Sequence, residues 1–392
     1  MNFIKNNLLV KIILAIALGM GIGQIIPAAG VRAFLTFNGL FSEFLNFFIP
    51  LIIVGLIVPA IGNIGTSATK LVAYTALLAY VSTLFAGFST FGISMSIFPS
   101  LLENQTAQNI ATQAVHLDPY FKISIPPMLD IMSALFFSFI LGIGISRIKS
   151  SAVLNVMTEF ETVVNGVIQK VIIPLLPLFI FGIFLNMSFS GEIFVILKVF
   201  VKIILVIFAM HIGLLLIQYI IAGAISKRNP FMALKTMMPA YFTALGTQSS
   251  AATIPVTLQQ GLKLGLSEQV INLTIPLCAT IHLAGSTMKI VACAVALMLI
   301  QGMTIEPITF IGFIFMLGVA MVAAPGVPGG AIMAAIGIIA SMLGFDEKNQ
   351  ALMISLYIAM DSFGTACNVT GDGALAMILD RFFGNKKETI VS

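Results

Sequence analysis

Four residues near the C-terminus carry the strongest chemical signal in the sequence: Asp361, Thr365, Asn368 and Asp372. At about 100° per residue they fall at about 0°, 40°, −20° and 20° on a helical wheel. They therefore form one polar stripe along a segment that is otherwise apolar. An aspartate at the centre of a bilayer costs about 2.5–3.5 kcal/mol even on a lenient insertion scale. Each carboxylate needs compensation, and a sodium ion, a substrate ammonium or a proton would each supply it. Internal pairing is the alternative, with Lys289 as its candidate. The preceding apolar stretch holds two further ionisable groups, His282 and Lys289, while His211 stands alone among apolar residues and reads as a structural hydrogen-bonder. Two membrane aspartates also raise an intramembrane aspartyl protease. That chemistry needs two carboxylates sharing a proton at close range, whereas Asp361 and Asp372 lie about 16 Å apart along one helix. No enzyme is expected.

The elements that must hold this stripe follow from composition. Of 392 residues, 59% are hydrophobic and 9% charged, where a soluble domain has roughly 25% charged residues. The mean hydropathy of +1.09 agrees. The chain is an integral membrane protein. Soluble enzymes, nucleic-acid binders and secreted scaffolds are excluded, and the net charge of +4 comes from scattered Lys and Arg without a basic run. Cys278, Cys293 and Cys367 are odd in number and lie in apolar stretches, so no disulfide framework is expected. The outer connection at about 99–127 contains Glu103, Asn104, Gln105, His116 and Asp118 without metal spacing; His116 reads as a solvated loop residue.

A span needs about 20 apolar residues. Runs of that kind occur at about 8–29, 37–62, 71–98, 128–146, 166–189 and 193–225, and interrupted ones at about 266–300, 308–345 and 350–379. The first is read as an uncleaved helix and not a signal peptide. With a cytoplasmic N-terminus, Lys5, Lys11, Lys70, Arg147, Lys149, Lys227, Arg228, Lys235, Lys263, Arg381, Lys386 and Lys387 fall inside. Arg32, Lys122, Lys198 and Lys348 fall outside. The asymmetry puts both termini in the cytoplasm.

Two segments break the pattern at membrane depth. One is Thr247-Gln248-Ser249-Ser250-Ala251-Ala252-Thr253-Ile254-Pro255-Val256-Thr257; the other is Pro325-Gly326-Val327-Pro328-Gly329-Gly330. Prolines and glycines at that density cannot continue a helix, and irregular backbone survives in a membrane only when protein buries it or it lines a cavity. Two kinked helices would be the simpler reading. Two re-entrant hairpins whose tips meet at a site is the sharper one, since paired interrupted segments point to a transporter site.

These pieces resemble the dicarboxylate/amino acid:cation symporter family, the glutamate-transporter homologues. The resemblance runs through almost the whole chain. It is most specific at the serine-rich segment from Ser249 to Thr257, at Pro276 to Gly285, at Gly326-Val327-Pro328-Gly329 and at Asn368-Val369-Thr370-Gly371-Asp372. The last-span motif is nearest to the sodium:serine/threonine branch.

The resemblance implies an all-α membrane fold of eight transmembrane helices and two re-entrant hairpins. It further implies a homotrimer in the plasma membrane, in which a transport domain (about 70–98 and 193–383) moves as an elevator against a scaffold (about 1–65 and 126–192). Asp361 matches the position that holds a substrate ammonium. Thr365, Asn368, Ser250, Ser286 and the Gly326–Val327 backbone match further substrate contacts. Where acidic-amino-acid members carry an arginine this sequence has Gly364 or Gln248, and Gly364 is expected to add room beside Asp361. The resemblance implies one sodium site at Asp372, Asn368 and the carbonyls of Cys278 and His282. A second would use the carbonyls of Thr280, Met321, Val322 and Ala324. A third is disfavoured, because its aspartate and asparagine are here Ala284 and His282, and Tyr80, Ser82 and Thr83 align poorly with its other ligands. The expected function is sodium-coupled import of a neutral amino acid, with sodium as coupling ion and no organic cofactor. Proton coupling through His282, a carboxylate substrate and a passive channel remain as alternatives. The expected partners are the substrate, the lipid bilayer and further copies of the chain, with no nucleic acid.

Overall fold

A computed structural model describes residues 8–66, 70–102, 117–148, 152–191, 193–324, 326 and 328–384. His116, Val327, Glu103, Asn104, Gln105 and the orientation residues Lys5, Lys149, Lys386 and Lys387 lie outside the described residues. All regular structure among the described residues is helical. The helices are α1 (Leu8–Gly23), α2 (Ala28–Thr66), α3 (Lys70–Leu102), α4 (Ile131–Arg147) and α5 (Ala152–Val167). A π turn at Ile168–Ile172 joins α5 to α6 (Ile173–Phe189), and α7 (Ile193–Ser226) follows. Eight further helices follow among the described residues: α8 (Pro230–Thr247), α9 (Ser250–Lys263), α10 (Glu268–Ile281), α11 (Ala284–Ile300), α12 (Pro307–Ala323), α13 (Gly330–Leu343), α14 (Glu347–Ala359) and α15 (Asp361–Phe383).

Among the described residues, five helical stretches are long and apolar enough to cross a membrane; α14 and α15, bent by 60° about Met360, make a sixth if taken as one span. Four shorter apolar helices accompany them.

The helices pack in two groups. In one, α2 lies against α4, α5 and α6, and α1 lies along α6. In the other, α15 is surrounded by α7, α8, α9, α10 and α11, and α3 packs on α11 and α12. Helices α12 and α13 also touch α2, so the second group leans on the first through that hairpin. Every residue of α11 except Leu299 is buried, which makes it the innermost element. By contrast, α3 and α7 present Leu77, Val81, Phe85, Val201, Leu205 and Ile220 outward. Apolar side chains on the outside of apolar helices are what a lipid environment requires.

Without a hydrophobic drive between helices in lipid, close backbone packing holds them together, and small residues allow it. Gly19 and Gly23, four apart on α1, do this against α6. A Cβ on Gly19 would lie 2.8 Å from the Phe181 carbonyl oxygen, and one on Gly23 would lie 2.6 Å from that of Leu185. The Ser188 hydroxyl donates to the Met20 carbonyl at 2.7 Å across the same seam. Gly23→Leu is expected to force the two helices apart at a cost of about 1–3 kcal/mol. Thermal unfolding in detergent checks this, and an unchanged transition would remove the seam from the account.

Candidate functional site

Four helix breaks meet near the middle of the second group: Gln248-Ser249, His282-Leu283, the stretch from Ala324 to Gly329, and Met360. Each break exposes backbone N–H groups at the start of the next helix and carbonyls at the end of the previous one. In a buried setting these must find partners, and the site's polar side chains provide several. Ser249 Oγ accepts from Ala252 N at 3.3 Å and donates to the Gly326 carbonyl at 2.9 Å, tying the two hairpin tips together. Asn368 Oδ1 accepts from Gly285 N at 2.8 Å and Ser286 N at 3.3 Å, capping α11 from a neighbouring helix. Asp361 Oδ2 accepts from Gly329 N at 2.8 Å, just before α13. Gln248 adopts the left-handed conformation (φ 55°) at the end of α8, and its Nε2 donates to Ser362 Oγ at 3.0 Å.

The starts of α9, α11, α13 and α15 border one small polar cavity lined by Gln248, Ser250, Leu283, Ser286, Gly326, Ala331, Tyr357, Asp361, Thr365 and Asn368. Helix N-termini carry partial positive charge and favour anions such as a carboxylate. The cavity measures about 10 Å³ for the centre of a water-sized sphere, room for roughly one water. Ser250 and Gly326, from the two hairpins, both border it.

Of the expected substrate residues, the cavity brings together Ser250, Ser286, Gly326, Asp361, Thr365 and Asn368; Val327 lies outside the described residues. Two expectations are corrected. Asp361 is not an unpaired carboxylate, because Lys289 Nζ lies 3.0 Å from its Oδ1, with both side chains buried. Gly364 does not leave room beside Asp361, since a Cβ there would lie 2.6 Å from the lysine Nζ. The glycine provides the hollow through which Lys289 reaches the aspartate. The ammonium also lies 3.6 Å from the centre of the Tyr357 ring, a desolvated cation–π contact. Tyr357 in turn donates to Ser286 Oγ at 3.0 Å. Sequence reasoning passed over Tyr357, whose apolar neighbours give no sign that it faces a cation.

Asp372 is likewise paired. His282 Nδ1 lies 2.8 Å from Asp372 Oδ1, and the other ring nitrogen lies 3.0 Å from Ser82 Oγ, which also accepts from Gln218 Nε2 at 3.0 Å. A Cβ on Gly371 would meet the His282 ring at 2.9 Å and Gln218 Oε1 at 2.8 Å. Gly364 and Gly371, seven residues apart on α15, thus each receive a basic side chain from the broken α10–α11 stretch. That spacing beside two aspartates was a signal in the sequence, and only Lys289 was weighed as a partner. His211 meets its structural reading: its Nε2 lies 3.0 Å from the Gly285 carbonyl oxygen.

The residues matched to sodium sites fall at helix ends of the opposite sign. Cys278 and Thr280 close α10, and Met321, Val322 and Ala324 lie at the end of α12. The two ends approach at a cluster of Ala79, Cys278, Ile281 and Leu375, against which Val322 packs. Carbonyls at helix C-termini carry partial negative charge and are the hard oxygen donors a sodium ion takes. The Cys278 carbonyl also accepts from His282 N at 2.8 Å, and that of Met321 from Ala324 N at 3.4 Å. The donor chemistry therefore fits an alkali cation, with the His282 ring already on one Asp372 oxygen.

Broken helices that direct N-termini at a closed polar cavity and C-termini at a neighbouring cluster of carbonyls are the architecture of a secondary transporter. The chain belongs to the sodium:dicarboxylate symporter family, whose family model matches residues 8–382. Members of that family are transporters and not enzymes, and this chain is a multi-pass membrane protein of that kind. It is 28% identical over 395 residues to a serine/threonine transporter SstT of Acinetobacter baumannii (strain AYE), covering 96% of this chain and 97% of the relative. It is 26% identical to the serine/threonine transporter SstT of Streptococcus agalactiae serotype III, covering 98% of each. An excitatory amino acid transporter of Caenorhabditis elegans is 24% identical over 73% of this chain and 58% of its own length.

The His282–Asp372 pair generates a stability prediction. Removing one partner of a buried ion pair strands the other and typically costs about 3–5 kcal/mol, while apolar replacement of both is much milder. His282→Leu and Asp372→Leu should each destabilise the protein by that amount, and the double variant by less than the sum. Additive losses in thermal unfolding would mean that the two side chains are not coupled.

Proposed function

We propose that the protein is a secondary active symporter that imports a neutral amino acid of the serine, threonine or alanine type, driven by a sodium gradient. The observation that carries this reading is the cavity bordered by four helix N-termini, which suits the carboxylate of a small zwitterion. Among the described residues no arginine borders the cavity, so a second, side-chain carboxylate would lack a guanidinium partner. The names of the bacterial relatives support a small hydroxy amino acid. Ser250, Ser286, Thr365, Asn368 and the Gly326–Val327 backbone hold the substrate, Asp361 receives its amino group, and the hairpin tips act as gates.

Sodium is held by Asp372, Asn368 and the carbonyls of Cys278 and His282, and at a second place by the carbonyls of Thr280, Met321, Val322 and Ala324. When bound, the ion supplies the positive charge that links the site to the gradient. The His282 ring on Asp372 and the absence of a carboxylate at Ala284 favour fewer bound ions than three. We further propose eight spans with two re-entrant hairpins and cytoplasmic termini, in the plasma membrane. The chain acts as a homotrimer whose helices in 70–98 and 193–383 travel against a scaffold formed by 1–65 and 126–192.

In proteoliposomes, labelled L-serine should accumulate above equilibrium under an inward sodium gradient and equilibrate without one. Accumulation that follows a pH gradient and ignores sodium would replace the coupling ion. Equilibration under every gradient would indicate a passive channel.

A further inference from the structure

Asp361 has both oxygens committed in the closed site. Oδ1 faces the Lys289 ammonium at 3.0 Å, and Oδ2 accepts from Gly329 N at 2.8 Å. The ammonium is equally occupied, by Asp361, by the face of Tyr357 at 3.6 Å and by the Met360 carbonyl at 3.5 Å. Lys289 is fully buried. Its end lies in the hollow at Gly364, where any larger residue would collide with it. The lysine is thus a built-in partner of Asp361, and the pair sums to zero charge. The helix starts around the cavity still attract a carboxylate, but no unpaired carboxylate waits there for a substrate amine. An α-amino group entering the site would place a second cation against one aspartate, and like charges at close range repel strongly where water is excluded. A hydroxyl of the same size brings no such charge.

We propose that Lys289 is a specificity-determining residue that takes the α-amino group's position on Asp361, so that the site accepts small 2-hydroxy monocarboxylates as well as amino acids. This rests on the reading of the cavity as the substrate site and removes from that reading the requirement for an amino group.

The test compares isosteric pairs on the full-length protein in proteoliposomes: L-serine with L-glycerate, and L-alanine with L-lactate, each labelled and each as competitor of the other. For the wild type, the members of a pair should be taken up within about tenfold of one another. In Lys289→Met, which keeps the length and loses the charge, Asp361 is left demanding a cation, and the ratio should swing towards the amino acid by at least about tenfold. Gly364→Ala, which retains the lysine but displaces its end, should swing the ratio the same way. It serves as the second variant if Lys289→Met does not fold. Uptake of serine with exclusion of glycerate by the wild type would overturn the inference and leave the amino-acid reading intact. Uptake of glycerate alone would overturn the amino-acid reading and the shared uptake of both classes, and would leave only the 2-hydroxy acid part of the inference standing. Uptake of neither overturns both, and an unchanged ratio in the variants would remove Lys289 from specificity.

Discussion

A helix that stops inside a membrane leaves backbone N–H groups and carbonyls with no water to satisfy them, and this chain stops four helices in one place. Nearly every polar contact around the cavity answers that constraint. Asn368 caps the start of α11 from another helix, Asp361 caps the turn before α13, and Ser249 ties the first hairpin to the carbonyl of Gly326. Residues expected to hold substrate are, in this closed conformation, the caps that hold the broken helices. The same geometry sorts charge, because helix starts gather at the cavity and the ends of α10 and α12 meet beside it. Partial positive and partial negative charge thereby arise next to each other from backbone dipoles.

Buried carboxylates impose the second layer. Both aspartates of α15 find basic partners on the broken α10–α11 stretch, and each partner is admitted by a glycine facing it. The coupling is tight in both directions: a side chain at 364 or 371 would displace the base, and loss of the base would strand an acid out of water. Asp361 also accepts from Gly329 N just before α13, so the buried pair and the second hairpin are tied to one carboxylate.

Much of this was legible from residues alone. The apolar runs, the two Gly/Pro- or Ser-rich interruptions and the polar stripe from Asp361 to Asp372 reflect local rules of hydropathy and helical period, and they led to the correct family. The run at 350–379 was read as one interrupted span, whereas the structure bends it by 60° at Met360. Met360 lacks the proline or glycine that would have marked the position. Tyr357 and Gln218 sit in apolar stretches where they read as packing, and Ser82 reads only as a poorly aligned candidate for a third ion site.

The sequence by itself determined a membrane protein, its helical class, two of the four places where helices break and which few charges lie at depth. Composition and spacing suffice for these because the cost of a charge or an open backbone group in lipid is paid locally, residue by residue. Only the tertiary structure decided which acid meets which base. Lys289 and Asp361 are separated by 72 residues, and His282 and Asp372 by 90. No local spacing encodes those distances; they follow from the packing of α11 against α15 and from two hollows that exist because a glycine has no side chain.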